Sequence, residues 1–465
     1  MTKEGHHLDP TDWDDFGRDM HDLLDTCLTR MQGARDLPWQ QKPADMGVEL
    51  DGAATPTADV FTQITDTVMP YATGNTHPAF FGWVHGTGLP VGVGAEIIAA
   101  TMNSNCGGRD HGAAEVEREV INWLTRTAGM PDDAFGILTT GTSQATILAL
   151  SAARARAFGM DVRTKGIRAL PEVRVYMANG AHSCVAKALE IMGHGSDCVR
   201  QIPVNDMSQM DMTALKDAIA EDRENGLAPL AIIGTAGSVG VGAYDDFNAL
   251  ADLAAQESIW MHVDAAFGYW SRLADSPYRE LSDGIGRADS IALDTHKWPG
   301  VQYDCGACLI SDRDLHRSTF SSRPAYLESA ASGLAGGDLW FCDYGIELSR
   351  GFKALKVWTA IKALGADAMG HAITDNCKQA ALMADLVAAS PHLNLQHDVI
   401  SNLCCFSVAK GDVTKIAADL QNAGQGVFST ITVNDIPCLR AAIVGHRTTS
   451  DDIRAAIKAV EATQI

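Results

Sequence analysis

The sequence predicts an α/β protein with a mostly parallel sheet in a large domain, an N-terminal helical arm and a small C-terminal α+β domain. Three observations carry that expectation. Between about residues 135 and 312, short β-branched runs alternate with longer helical windows, as a parallel sheet with crossover helices requires. The chain has 465 residues, 46% of them hydrophobic and only 20% charged, enough apolar material for a large core and too little charge for disorder. A single core stops growing at roughly 250–300 residues, so more than one folded unit is expected.

The first 75 residues form the arm. Phe16, Met20, Leu23, Leu24 and Cys27 fall at helical spacing, before Pro70 and the segment around Pro78 break the pattern. A second helix is expected over 113–128, where Val116, Val120, Ile121 and Leu124 share one face. The large domain, 76–360, then offers strands at 173–177, 230–234, 259–263, 290–293 and 307–310, separated by helical windows at 143–158, 183–192, 212–223 and 247–256. Such a sheet gathers ligands at the carboxyl ends of its strands. The small domain, 361–465, opens with a helix, continues through a strand at 404–408 and a helix at 413–423, and closes with a helix from Asp451.

Charge and cysteine usage narrow the function classes. Lys plus Arg number 36 and Asp plus Glu 58, a formal net charge of −22. So acidic a surface repels phosphate backbones and anionic lipids, which argues against a nucleic-acid or membrane partner. No apolar stretch approaches the roughly 20 residues of a bilayer span. The first 15 residues show no basic segment followed by an apolar run, and the eleven cysteines are odd in number, so reduced thiols in the cytoplasm are expected. Cys305 and Cys308 have CxxC spacing without a second pair, and they read as small residues on a buried strand rather than a redox or metal site; no metal is expected.

Four local signals carry chemistry. Asp294-Thr295-His296-Lys297-Trp298 directly follows an apolar strand. A lysine leaving a buried strand is costly unless its pKa falls or it forms a covalent link, and an aldehyde cofactor would convert it to a Schiff base. Asp264 ends the strand before it, where a carboxylate either caps the next helix or holds a pyridine nitrogen protonated. Gly141-Thr142-Ser143 opens a helical window, a place where backbone N–H groups and hydroxyls bind a phosphate monoester. His182 follows another strand, placed to stack on a flat ring or to sit satisfied in the core. Each signal has an ordinary reading alone; together they supply the phosphate anchor, ring stack, nitrogen partner and Schiff-base amine of one site.

Their order along the chain resembles the pyridoxal-phosphate group II amino acid decarboxylases, the family of aromatic L-amino acid, glutamate and histidine decarboxylases. The resemblance runs from about residue 75 to 365 and rests on His77-Pro78, Gly141-Thr142-Ser143 with Ala145-Thr146, Ala181-His182-Ser183, Gly234-Thr235, His262-Val263-Asp264-Ala265-Ala266, Ala288-Asp289-Ser290, His296-Lys297-Trp298, Asp304-Cys305, Pro324-Ala325-Tyr326-Leu327, and Leu348-Ser349-Arg350 with Leu355-Lys356. It implies the aspartate-aminotransferase-like fold (fold type I), pyridoxal 5'-phosphate as cofactor and a homodimer with a shared active site, clasped by the arm. It further implies that Lys297 forms the cofactor linkage, Asp264 binds the ring nitrogen and His182 stacks on the ring. Thr142 and Ser143 would hold the phosphate with His296, while Thr235 and Ala266 lie at the ring edge. Tyr326 falls in the segment matching the family's catalytic loop, whose tyrosine protonates the product carbon; relatives that form aldehydes look like Phe there. An aminotransferase or aldolase would share Lys297 and Asp264, and Tyr326 favours decarboxylation.

Departures from the family pattern bear on the substrate. Asp294-Thr295 stands where the family commonly shows Asn-Pro, so an extra carboxylate lies near the cofactor or points into the sheet. The stretch corresponding to one that lends aromatic side chains to a neighbouring subunit offers Asn103, Asn105 and Arg109 instead. Phe80, Phe81, Trp83 and His85 either line a slot for an aromatic ring or belong to the core. The leading expectation is an aromatic amino acid. An acidic or polar one is the alternative, since Arg109 can pair with a side-chain carboxylate, and Arg350 is a further candidate substrate contact.

Overall fold

The structure, a computed structural model, describes residues 8–322 and 332–464. The arm holds α1 (Trp13–Gln32), whose N-terminus is capped by the Asp12 carboxylate, and α2 (Thr57–Thr67); neither helix has a buried residue within the chain. α3 (Pro90–Met102) and α4 (Gly112–Ala128) lead into the large domain. There follow β1 (Phe135–Thr139), α5 (Thr142–Phe158), the one-turn α6 (Val162–Lys165), β2 (Val173–Ala178), α7 (Cys184–Ile191), β3 (Val199–Ile202), α8 (Met212–Glu224), β4 (Ala228–Thr235), α9 (Phe247–Glu257), β5 (Trp260–Asp264), β6 (Ser290–Asp294) and β7 (Gly306–Ile310).

These seven strands form one sheet in the order β1-β7-β6-β5-β4-β2-β3. β2 to β6 pair in parallel, whereas β7 runs antiparallel to both β1 and β6. The reversal has a plain cause. Segment 295–305 contains no helix, and a parallel return needs a crossover of a dozen or more residues. β1 and β3 escaped the sequence reading, β3 because it is a half-exposed edge strand carrying Arg200 and Gln201.

The chain continues through α10 (Arg313–Phe320), α11 (Ala354–Leu364) and α12 (Ala366–Ala389) into a four-stranded antiparallel sheet, order β10-β11-β9-β8. Its elements are β8 (Leu393–Leu395), β9 (Leu403–Val408), α13 (Val413–Asn422), β10 (Ser429–Val433), β11 (Ile436–Ala442) and α14 (Ser450–Ala462). Two interiors result. The larger wraps the seven-stranded sheet; the smaller gathers Val387, Phe406, Leu439 and Ile457 together with Ala79 and Phe81 from far upstream. The division falls inside α12, whose Met369, Ile373 and Cys377 face the first interior and whose Ala380, Met383 and Val387 face the second.

A buried ion pair braces the large domain. Arg350 donates to both carboxylate oxygens of Glu117 at 2.5 and 2.9 Å and to the carbonyls of Leu138 and Cys106, while Glu117 also accepts the Leu138 N–H. Both side chains are 1% exposed. Arg350 is therefore a structural tie and not a substrate contact, because its charge is spent inside the protein.

Candidate active site

The carboxyl ends of β4, β5 and β6 and the start of α5 open on one cleft of about 440 Å3. Lys297, Asp264, His182, Thr142, Ser143 and Thr235 all line it, as do Ala266 and His296, and so do Trp83 and His85. The sheet explains the convergence: register sets Thr235 beside Asp264, and Asp264 beside Ala292 two residues before the end of β6.

Lys297 reaches back to Asp294, its Nζ 3.0 Å from Oδ2. Burial pulls the amine's pKa down, but the attraction of Asp294, with Asp264 behind it, outweighs this and leaves it above the ordinary lysine value. Of the two ways a buried lysine can be tolerated, a fallen pKa is ruled out here by the very carboxylate that departs from the family pattern, and the covalent link is left. Asp294 itself is 2% exposed; its Oδ1 accepts the Thr142 N–H at 2.7 Å, so it caps α5 from the end of β6. His296 accepts the Cys305 N–H at Nδ1, which leaves its proton on Nε2, and burial lowers its pKa.

Asp264 receives the Ala266 N–H at 3.2 Å and the Cys184 thiol at 3.5 Å. Burial and that carboxylate push the thiol's pKa up, so Cys184 is a neutral donor. His182 accepts the Cys184 N–H at Nδ1, which fixes its tautomer and leaves the ring exposed to the cleft. Thr235 is held by Asp245, which accepts the N–H of both Thr235 and Met210.

Two atoms show what the cleft can take. Thr142 Oγ1 and Thr235 Oγ1 are buried without a hydrogen-bond partner among the described residues. An unmet buried hydroxyl costs about 1–3 kcal/mol, so both are set for a partner that enters the cleft. One lies at a helix N-terminus, where phosphate binds, and the other beside the carboxylate that would meet a ring nitrogen. These donors fit pyridoxal phosphate.

The family model of the pyridoxal-dependent decarboxylase conserved domain matches residues 38–409. The chain belongs to the pyridoxal-dependent decarboxylase family. Membership carries a chemistry, that of a carboxy-lyase working with pyridoxal phosphate. The aromatic-L-amino-acid decarboxylase of Bacillus atrophaeus is 30% identical over 85% of this chain and 81% of its own. Histidine decarboxylase of Homo sapiens is 27% identical over 96% of this chain and 69% of its own. A solved structure of TDC from Oryza sativa with PLP and tryptamine superposes with a TM-score of 0.89, covering 98% of this chain and 99% of that one at 24% identity, which shows the shared fold type I architecture.

Other expected site residues lie elsewhere. Tyr326 falls outside the described residues. Phe81 is fully buried against Phe428 in the smaller interior, facing away from the cleft. Asn105 accepts the N–H groups of Gly107 and Arg350, and Arg109 stacks on Trp340 at 4.7 Å. Both line a separate cavity of about 460 Å3, so within one chain they do not reach Lys297. Arg440, unnoticed in the sequence, does line the cleft. It is 4% exposed, donates to the carbonyls of Gly240 and Trp83 and to Ser429, and keeps Nη2 without a partner among the described residues. An arginine inside the apolar run Cys438-Leu439-Arg440-Ala441-Ala442 was the available signal.

Proposed function

We propose that the chain decarboxylates an L-amino acid with an aromatic side chain to its amine and carbon dioxide, and that it acts as a homodimer in the cytoplasm. The observation carrying the substrate class is a pair of rings in the wall of the cleft, Trp83 and His85, backed by the buried ring of Phe80. Trp83, half exposed, stacks on His85 at 5.6 Å, and His85 stacks on Phe80 at 5.7 Å. A flat side chain entering beside Lys297 meets Trp83 and His85 edge or face on.

Pyridoxal phosphate, when bound, supplies an aldehyde that condenses with amines and a ring that accepts the electron pair left by a departing carboxyl group. Lys297 Nζ is the amine at hand for that aldehyde, and Asp294 is the base within reach of its proton. Asp264 holds the proton on the ring nitrogen, and His182 offers its exposed face to the ring. Thr142, Ser143 and the N–H end of α5 bind the phosphate, with His296 close by. Arg440 Nη2 takes a carboxylate of the substrate. Tyr326 is assigned, on the resemblance alone, to proton delivery at the product carbon.

The dimer reading rests on surfaces the single chain leaves open. Trp13, Met20 and Leu28 on α1, Ile64 on α2, and Ile97 and Ile98 on α3 are exposed. A second copy covers them in this reading and brings Asn105 and Arg109 toward the neighbouring cleft. The cytoplasmic assignment is supported by eleven free cysteines. No helix of the described residues is long and apolar enough to cross a membrane.

Arg440 supports a second reading, an acidic substrate whose side-chain carboxylate it pairs. Supplying the loaded enzyme with each common L-amino acid and measuring carbon dioxide and amine separates the two. Release from an aromatic amino acid is expected, with KM in R440Q raised about ten- to a hundredfold, the worth of a charge-assisted hydrogen bond. Release from glutamate or aspartate favours the second reading. Release from none withdraws both.

A further inference from the structure

Asp294 puts a negative charge where the rest of the site is arranged to receive one. Its carboxylate is 2% exposed and occupies the N–H end of α5, accepting the Thr142 N–H at 2.7 Å. The unpartnered Thr142 hydroxyl, itself 94% buried by its 6% exposure, points the same end at an incoming anion. A phosphate monoester has its second pKa near 6 and arrives at neutral pH with close to two negative charges.

The charges facing Asp294 do not balance that load. The turn after β6 brings Lys297 Nζ to 3.0 Å and His296 Nε2 to 3.8 Å. The imidazole stays neutral, because burial depresses it and its Nδ1 is committed to the Cys305 N–H. From β5 comes Asp264, and from the turn before β7 come Asp304 and the Tyr303 ring, 4.3 Å from that of His296. In the loaded site the protonated ring nitrogen would answer the carboxylate on β5, which leaves one ammonium and one helix end to face the buried Asp294 carboxylate and the arriving phosphate.

We propose that Asp294 makes cofactor capture proton-linked: the phosphate and this carboxylate compete for the same N–H donor, and the loaded site takes up one proton from water. The proton is held between the two oxyanions; the imine that Lys297 would form with the aldehyde, with loss of water, is common to pyridoxal and its phosphate and cancels in the comparison below. The inference rests on the cofactor assignment above. It gives this chain a cofactor affinity that weakens as pH rises, with Asp294 as the residue responsible.

Calorimetric titration of the cofactor-stripped full chain with pyridoxal phosphate, in two buffers of different ionisation heat, counts the protons. At pH 8 the wild-type chain is expected to take up close to one proton per site, and its association constant to fall about tenfold per pH unit between pH 7 and 9. D294N, which retains an oxygen for the Thr142 N–H, is expected to take up almost none and to bind about tenfold more tightly at pH 8. Pyridoxal, which lacks the phosphate, is titrated against each chain as the reference for protons exchanged by the aldehyde, the ring and Lys297. Binding of the phosphate ester by wild type with no uptake beyond that of pyridoxal overturns the proposal and leaves the cofactor assignment standing. Failure of the wild-type chain to bind pyridoxal phosphate removes both. The wild-type proton count decides by itself, so a D294N chain that does not fold spares nothing.

Discussion

Asp245 touches no reacting atom, yet its burial is written into the pH dependence of folding. It accepts N–H bonds from Met210 and Thr235, and desolvation, only partly offset by those bonds, pushes its carboxyl up to about 6 from an unfolded value of 3.8. A folded pKa above the unfolded one means that the native chain holds the proton more tightly. The contribution is complete below pH 3.8 and is lost as pH rises through about 6. Its size is about 3 kcal/mol, from a shift of some two units at 1.36 kcal/mol each. The unfolding free energy of wild type minus that of D245N, measured in urea, is therefore expected to drop by about 2 kcal/mol between pH 4 and 7 and then level off. A difference flat across that range would show that the carboxyl stays ionised throughout. Residues of this kind mark the limit of reading from sequence. Lys297, Asp264, His182 and Thr142 were legible because each follows a strand end or opens a helix, where side chains converge. Asp245 was not, since its meaning comes from segments distant in sequence, and Arg440 showed only as a charge in an apolar run, without the Gly240 and Trp83 carbonyls that aim it. Phe81 and Arg350 were misplaced because a motif gives a neighbourhood and not a direction: one side chain turns into the smaller interior, the other into an ion pair.

Among elements, the Glu117–Arg350 bridge decides how α4 sits on the end of β1. Through Leu138 it fixes the strand that runs into Gly141 and α5. Removing Glu117 leaves a guanidinium 1% exposed whose remaining counter-ion, Glu347, stands 4.0 Å away, a cost of about 3–5 kcal/mol. E117Q is expected to lower the urea unfolding free energy by that amount; the paired change E117M with R350M, which removes both charges, is expected to recover most of it. Equal losses in both chains would mean that the packing, and not the charge, is what matters. The element pattern of the large domain was readable because buried parallel strands are unbroken apolar runs between amphipathic helices. The direction of β7 was not, for it depends on the length of a connection without regular structure, and in the edge strand β3 Arg200 and Gln201 break the apolar run between Val199 and Ile202.

For the whole molecule the exposed arm is the open account. α1 and α2 expose Trp13, Met20, Leu28 and Ile64 and bury nothing fully within their own chain. Just after α1, Arg35 pairs with Asp452 at 2.6 Å and donates to the Arg447 carbonyl, which moors the arm to the C-terminal helix and the turn before it. Deleting residues 8–56 is expected to convert a dimer near 99 kDa, twice the 49.5 kDa chain, into monomers in sedimentation velocity. A full-length chain that already sediments as a monomer would refute the homodimer.

The helix α12, 24 residues long, threads both interiors. A rod shared in this way cannot swing as a hinge without emptying one side or the other. Any turning of one lobe against the other therefore has to bend or unpack α12 between Cys377 and Ala380, where its allegiance changes from one interior to the other.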